Sequence, residues 1–321
     1  PMANEFKSAF TQQMEAFLEH RKQSGVKSLD GDIGYLKKLD RFLVCHGISN
    51  IMFGKDLAEK WKEPLPNESE IGRYKRINAT KRFMEYLFAK GYPVFQFRDI
   101  KAPRSNFTPH IYSDDEVTRY FEAVDSYEPP VNKKNRIQIP VLFRIIYCCG
   151  TRITETLRIR KCDVDLESGI IRLSETKNAK QRYVVMSSSL HELMKEYAGK
   201  TFFLLSDNDY IFTTLKGTAI DADFVRDLHI MFLSQAKIPY LSGGSGPRIH
   251  DWRHTFAVNS FRQMIEKGYD MYVSLPVISA YMGHDSIAAT EKYLRLTESM
   301  YPYLEDKFSK TINEIFEEGI S

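Results

Sequence analysis

Along the N-terminal third of the chain, apolar residues recur every three or four positions. In "FKSAFTQQMEAFLEHRKQSG", Phe6, Phe10, Met14, Phe17 and Leu18 fall on one helical face, and Gly25 marks the stop. "SLDGDIGYLKKLDRFLVCHG" repeats the scheme with Ile33, Leu36, Leu39, Phe42 and Leu43, and Gly47 closes it. A short helix is predicted around "KDLAEKWKE" before the break "PLP", and a long one over "ESEIGRYKRINATKRFMEYLFAKGY", ending near Gly91. Four amphipathic helices can bury their stripes only against one another, so a small helical bundle is expected over residues 1–98.

The periodicity then fails. "RDIKAPRSNFTPH" carries two prolines and no repeat, and residues 99–110 read as a linker. A second domain, 111–321, opens at "YSDDEVTRYFEAVDS", where Ser113 is a good N-cap and acids fill the first turn. "SYEPPVNKKNRIQ" reads as a polar loop, and "IPVLFRIIYCCGTRITETLRI" as an apolar helix, a Gly-centred break and a second helix start. The β-branched runs "GIIRLS" and "RYVVM" flank "ETKNAKQ" and predict a hairpin. Helices fill the remainder, ending in an amphipathic tail over about 301–319. There Leu304, Phe308, Ile312, Ile315 and Phe316 share a stripe after Pro302. Such a helix is marginal until the stripe is buried, either on its own domain or on a neighbouring copy. The fold class expected is mainly α with a small antiparallel sheet: a four-helix bundle followed by a mixed α/β domain.

Composition changes this picture little, and charge changes it more. A length of 321 residues suits two domains, and 43% hydrophobic with 27% charged residues is ordinary for a globular protein. The net charge of +3 is unevenly spread. Residues 1–110 hold 19 Lys and Arg against 13 Asp and Glu, residues 111–297 hold 24 against 23, and residues 298–321 hold 2 against 6. A basic N-terminal domain is the footprint expected for nucleic acid. The last bundle helix carries Arg73, Lys75, Arg76, Lys81 and Arg82, which are candidates for contacting a phosphate backbone; a solvated helix face is the competing reading. Cys45, Cys148, Cys149 and Cys162 form neither a CxxC nor a set spaced with His, which argues against a zinc site or disulfide framework and for a reducing, cytoplasmic location. No apolar run approaches the ~20 residues needed to cross a bilayer, so no membrane partner is expected. The first residues lack an apolar signal core, and Pro1 before Met2 reads as a cloning remnant.

Four stretches of the second domain hold residue types suited to phosphate chemistry. In "CCGTRITETLRI", Arg152 follows Gly150 at a helix start, where backbone N–H groups already favour an anion and a guanidinium can grip two oxygens. In "SETKNAKQRYVV", Lys177 sits in the hairpin turn and can serve as a movable proton donor; Lys180 competes for that role. In "RIHDWRHTFAVNSF", His250 and Arg253 are three apart and share a helical face, while His254 is expected to point elsewhere and to be structural. In "YMGHDSIAATEKYLRLT", His284 precedes Tyr293 by nine residues. A phenol with a pKa of ~10 is a weak nucleophile, and clustered cations would favour the phenolate and neutralise a phosphorane-like transition state. Taken singly, each stretch also admits a bland reading as surface or core.

The order Arg, Lys, His-x-x-Arg, Gly-His, Tyr resembles the tyrosine recombinases, the group that includes phage integrases and chromosome-dimer resolvases. The likeness spans the chain. "GTRITE" resembles the family's first Arg box, "TKN" its β-strand Lys, "HDWRHTFA" its second box, and "LPVISAYMGHDSIAATEKYLRLT" its third box with the nucleophile. The N-terminal bundle resembles the family's core-DNA-binding domain. Departures are small: Met282 stands where Leu is more usual, and no separate arm-binding domain is expected ahead of residue 1.

The resemblance implies a site-specific recombinase whose Tyr293 attacks a DNA phosphodiester, forming a 3′-phosphotyrosyl link and releasing a 5′-hydroxyl. Arg152 and Arg253 would hold the non-bridging oxygens, Lys177 would protonate the 5′-oxygen, His250 would assist the tyrosine's proton, and His284 would donate to the phosphate. Glu155, one turn after Arg152, would orient rather than react. No cofactor is implied, neither metal nor ATP. The partners implied are double-stranded recombination sites, a dimer of the chain per site and a tetramer in synapsis, with accessory DNA-bending or directionality proteins. The third box inclines the reading towards the integrase or transposase of a bacterial mobile element. A chromosome or plasmid resolvase or invertase, a type IB topoisomerase and a non-catalytic DNA-binding regulator are the alternatives.

Overall fold

The computed structural model describes residues 6–26, 29–103, 108–174, 181–240 and 246–283, apart from the side chains of Met271 and Tyr272. The chain divides into two compact units, Pro1–Phe107 and Thr108–Ser321. The tail over 301–319 lies outside the described residues.

In the first unit, helices α1 (Thr11–Gln23), α2 (Asp30–Cys45), α3 (Lys55–Lys62) and α4 (Glu70–Ala89) follow the predicted stripes. Phe10, Met14, Leu39, Leu43, Phe83, Met84 and Leu87 are fully buried and form the bundle core. Ser69 caps α4, its hydroxyl accepting from the Gly72 amide at 3.1 Å. Trp61 of α3 is also buried and donates its indole N–H to Thr80 at 2.9 Å, so this large ring enters the core without an unmet polar atom.

The second unit begins with α5 (Asp114–Asp125), whose start is a capping box: Ser113 accepts from the Glu116 amide at 3.2 Å and Glu116 accepts from the Ser113 amide at 2.9 Å. Helix α6 (Asn135–Cys148) starts inside the stretch expected to be loop. The reason is polar pairing in the interior. Gln138 is completely buried; its amide donates to the Thr213 carbonyl at 3.1 Å and to Asn135 at 2.6 Å, while its oxygen accepts from the Thr213 amide at 3.1 Å. Side chains that look solvent-seeking in sequence are thus satisfied inside, and the helix extends to include them.

A short α7 (Ile153–Thr156) leads to the sheet, ordered β1 (Val164–Asp165), β2 (Ile170–Leu173), β3 (Arg182–Val185), all antiparallel. The expected hairpin is β2–β3, with Ile171 opposite Val184 and Leu173 opposite Arg182; β1 is a two-residue addition that alternation could not have flagged. Ile171, Leu173 and Val184 face the core, whereas Tyr183 and Val185 are exposed. Helices α8 (Ser188–Thr201), α9 (Ala222–Gln235), α10 (Ile249–Glu266) and α11 (Met271–Met282) complete the unit. Tyr112 stacks on Trp252 of α10 with ring centroids 3.7 Å apart, and the Tyr112 amide donates to Thr255 at 3.1 Å, so the unit's first residues lie along α10. Among the described residues no helix is long and apolar enough to cross a membrane.

Candidate active site

The chain turns sharply between α6 and α7 at Gly150, whose φ of +58° lies in the left-handed region. This turn presents Arg152 as the N-cap of α7. Its amide donates to Glu155 Oε2 at 2.9 Å and its guanidinium to Oε1 at 2.6 Å. The other side of the same carboxylate is taken by Arg182, the first residue of β3, through a two-pronged contact of 2.9 and 2.7 Å. The side chain of Glu155 is 1% exposed. Burial by itself would push its carboxyl up, but the bonds from Arg182 and from Arg152 outweigh it and hold the group down at about 2. Glu155 therefore stays an anion between two cations.

Helix α10 carries the second pair. Its start is held by Asp251, which accepts from the Arg248 amide at 2.9 Å and is itself buried. Just before it, the Pro247 carbonyl accepts from His229 Nε2 at 3.2 Å, and His229 Nδ1 in turn accepts from the Tyr120 hydroxyl at 2.7 Å. His229 is a core histidine. Burial pushes its pKa down to about 4, only partly opposed by the bond to Pro247, so it is neutral in the folded protein. One turn on, Arg253 is 1% exposed. Its guanidinium donates to the Gly150 carbonyl at 2.5 Å and to the Met282 carbonyl. His250 lies at the exposed start of the helix. His254, expected to point away, instead meets His250 edge to face at 5.0 Å. Residues four apart are neighbours on an α-helix, and the three-residue spacing to Arg253 had hidden that.

Arg253 thus ties two of the four sequence stretches to a third. The Gly150 carbonyl is two residues from Arg152, and the Met282 carbonyl is two residues along the chain from His284. Lys177, Lys180, His284 and Tyr293 themselves lie outside the described residues. The β2–β3 hairpin that carries the two lysines brings Arg182 to Glu155, and Arg182 also underlies Gly283, whose Cβ, if present, would sit 3.4 Å from Arg182 Cδ. Arg182 was missed in the sequence. The signal was available, because Arg182 is in phase with the buried Val184 and an inward-facing arginine must find acceptors, a carboxylate or main-chain carbonyls, inside the fold.

The basic face of α4 is less free than its sequence implies. Arg76 is wholly buried: it pairs with Glu68 through two bonds of 2.7 Å, donates to the Glu63 carbonyl at 2.9 Å and to the Trp61 carbonyl, and lies over the Trp61 ring at 4.4 Å. It is a core residue, and the expectation that it contacts phosphate is corrected on that ground. Lys81 pairs with Asp99 and Glu85, Arg82 with Asp32 at 2.7 Å, and Arg73 donates to the Lys62 carbonyl at 2.6 Å while staying half-buried; Lys75 is exposed. Among the described residues no group of His, Cys, Asp or Glu is placed to hold a metal ion.

A family model described as "Phage integrase family" matches residues 112–300, more than half of the chain, and the chain belongs to that family, the tyrosine recombinases, which transfer DNA strands. Among similar proteins, y4rB of Sinorhizobium fredii, which bears an integrase/recombinase name, is 26% identical over 302 residues, covering 89% of this chain and 93% of its own. Tyrosine recombinase XerC of Pelotomaculum thermopropionicum is 25% identical over 280 residues, covering 84% of each chain. The fold is that of XerH site-specific recombinase, solved bound to difH substrate, with a TM-score of 0.65 at 20% identity over 94% of this chain and 86% of that one. Lambda integrase residues 75–356, solved bound to DNA, gives a TM-score of 0.62 at 12% identity over 87% and 93%.

Proposed function

We propose that this chain cleaves and rejoins DNA through a 3′-phosphotyrosyl link to Tyr293. The observation that carries the reading is the position of Arg253: one buried guanidinium bonded to the backbone beside Arg152 and to the backbone two residues before His284. That arrangement holds the turn bearing Arg152 against the end of α11, just ahead of His284, which supports a reading in which cations converge on a phosphate. In this reading Tyr293 attacks phosphorus, the 5′-oxygen leaves with a proton from Lys177, and Arg152, Arg253 and His284 stabilise the charge on the non-bridging oxygens. His250 accepts or returns the tyrosine proton. The phosphodiester's energy is kept in the phosphotyrosine, so the 5′-hydroxyl of a partner strand can attack it in turn without ATP or metal. Residues 1–98 act as a DNA-contacting domain, linked through 99–110 to the catalytic domain 111–321, and the active form is a dimer per site and a tetramer in synapsis. The amphipathic tail over 301–319 joins neighbouring copies. The biological task we favour is the movement of a mobile element, in a bacterial cytoplasm.

The test is a nicked suicide substrate followed by a denaturing gel, with EDTA present and no nucleotide. The wild-type chain should form a covalent adduct and Tyr293→Phe should bind the DNA without forming one. An adduct on the Phe variant, or none on the wild type with its cognate site, would overturn the assignment.

A further inference from the structure

Three charged groups meet beside the α6–α7 turn, and their count is uneven. Glu155 contributes one negative charge, Arg152 and Arg182 one positive charge each. Arg182 takes one bond on each carboxylate oxygen, which is the full fork of its guanidinium, while Arg152 spends one guanidinium contact and its amide. The side chain of Arg152 remains 23% exposed, against 12% for Arg182 and 1% for Glu155. The innermost cation therefore satisfies the anion, and the outer one keeps donors for something else.

We infer that Arg182 is a positioning residue for DNA cleavage: it neutralises Glu155, so that Arg152 carries an uncompensated positive charge to the scissile phosphate. The inference rests on the reading of Arg152 as a phosphate ligand. With Arg182 absent, Glu155 would have only Arg152 as a partner. A buried carboxylate left with one cation draws that cation fully onto itself, and the pair would be neutral where a phosphate needs charge. A second contact points the same way. The stem of Arg182 lies under Gly283, where the chain leaves α11. One side chain thus supports the Arg152 grip and abuts the segment that leads to His284.

The charge argument makes a specific demand: removing the anion should repair the loss of its counter-ion. Single-turnover cleavage of the suicide substrate at saturating protein, and affinity for the uncleaved site, would be measured for Arg182→Ala, Arg182→Lys, and Arg182→Ala combined with Glu155→Gln. Arg182→Ala should slow cleavage by ~10²-fold while leaving site affinity nearly unchanged. Arg182→Lys, which keeps the charge but loses the fork, should fall between it and the wild type. The double variant should recover to within about tenfold of the wild type. A double variant as slow as Arg182→Ala, or an affinity loss as large as the rate loss, would overturn the inference. If Arg182→Ala proves unfolded by its melting curve, Arg182→Met with Glu155→Gln decides alone, since it removes both charges and keeps the volume: recovery supports the charge role and a ~10²-fold deficit refutes it. Wild-type and Tyr293→Phe lanes on the same gel separate this outcome from failure of the recombinase reading, which would show as no adduct at all.

Discussion

Gly150 and Phe256 leave no space between them: a Cβ built on Gly150 would lie 2.4 Å from Cδ1 of the Phe256 ring. The same glycine has a positive φ and offers the carbonyl that Arg253 holds. Conformation, close approach and the hydrogen bond to Arg253 coincide at one residue. Gly150→Ala should therefore lower unfolding free energy by about 2 kcal/mol or more, read by urea denaturation. It should also slow adduct formation at saturating DNA by ~10²-fold, since the Arg152 turn must shift. A variant of normal stability and normal rate would break the link between this turn and the site.

His229 sets a pH dependence of stability with a defined sign. Its folded pKa of about 4 lies below the unfolded value of 6.5, so the unfolded chain binds the proton more readily. Stability is full above pH 6.5 and falls as pH drops from there towards 4, with a limiting slope of ~1.4 kcal/mol per unit. His229→Gln, which can still donate to the Pro247 carbonyl, should flatten that slope. Unfolding midpoints in urea at intervals between pH 7 and 4.5 would show it; equal slopes in both proteins would remove His229 as the cause. Glu155, held at about 2, adds its own loss only at lower pH, as the medium falls from 4.5 through 2.

Arg76 and Lys75 are adjacent on α4 and should fail in opposite ways. Arg76→Ala leaves the Glu68 carboxylate buried without its cation and should cost about 3–5 kcal/mol, seen as a lower melting temperature. Lys75→Ala should leave melting unchanged and reduce the slope of log affinity for DNA against log salt by ~1, as expected for one lost phosphate contact. A salt slope that ignores Lys75 would remove this face of α4 from the DNA contact.

Tyr281 is the described tyrosine nearest in sequence to Tyr293, and its surroundings suit packing. Burial pushes its hydroxyl pKa well up, the hydroxyl bonds to the Val185 backbone, and the ring stacks on Phe256 at 5.5 Å. A phenol so placed resists ionisation. Tyr281→Phe should keep the covalent adduct on the suicide substrate, with at most a modest loss of stability. Loss of the adduct in this variant, in a protein that still melts normally, would move the nucleophile to Tyr281.

Much of the architecture was legible because periodicity carries it. The four helices of the first unit, the Ser113 cap and the β2–β3 hairpin all follow from spacing and turn chemistry. What escaped was decided by partners distant in sequence. Helix α6 reaches back to Asn135 because Gln138 finds Thr213, 75 residues on. Arg76 looked like one of five surface cations, and its burial depends on Glu68 and Trp61 lying where the loop before α4 and the end of α3 bring them. Arg182 was passed over for a different reason: its phase with Val184 marked it as inward-facing, but Lys177 nearby had a chemical role to suggest, and only the fold could name Glu155 as its partner. His254 was misjudged by attending to one helical spacing and not the next.

The clamp made by Arg253 closes on main-chain oxygens rather than on side chains, and this bears on how such a site can drift without being lost. Every amino acid offers the same carbonyl, so replacing residue 282 removes no hydrogen-bond partner from the arginine. Met282 makes this bond while its completely buried side chain fills a nest of Ala257, Val258, Phe261 and Ile278. Leu and Met differ little in volume, and such exchanges are well tolerated in cores. Mutational freedom at this position is thus limited by shape alone. At Gly150, the other jaw, the backbone angle and the Phe256 ring forbid almost any change. The two ends of one guanidinium should accordingly accumulate substitutions at very different rates.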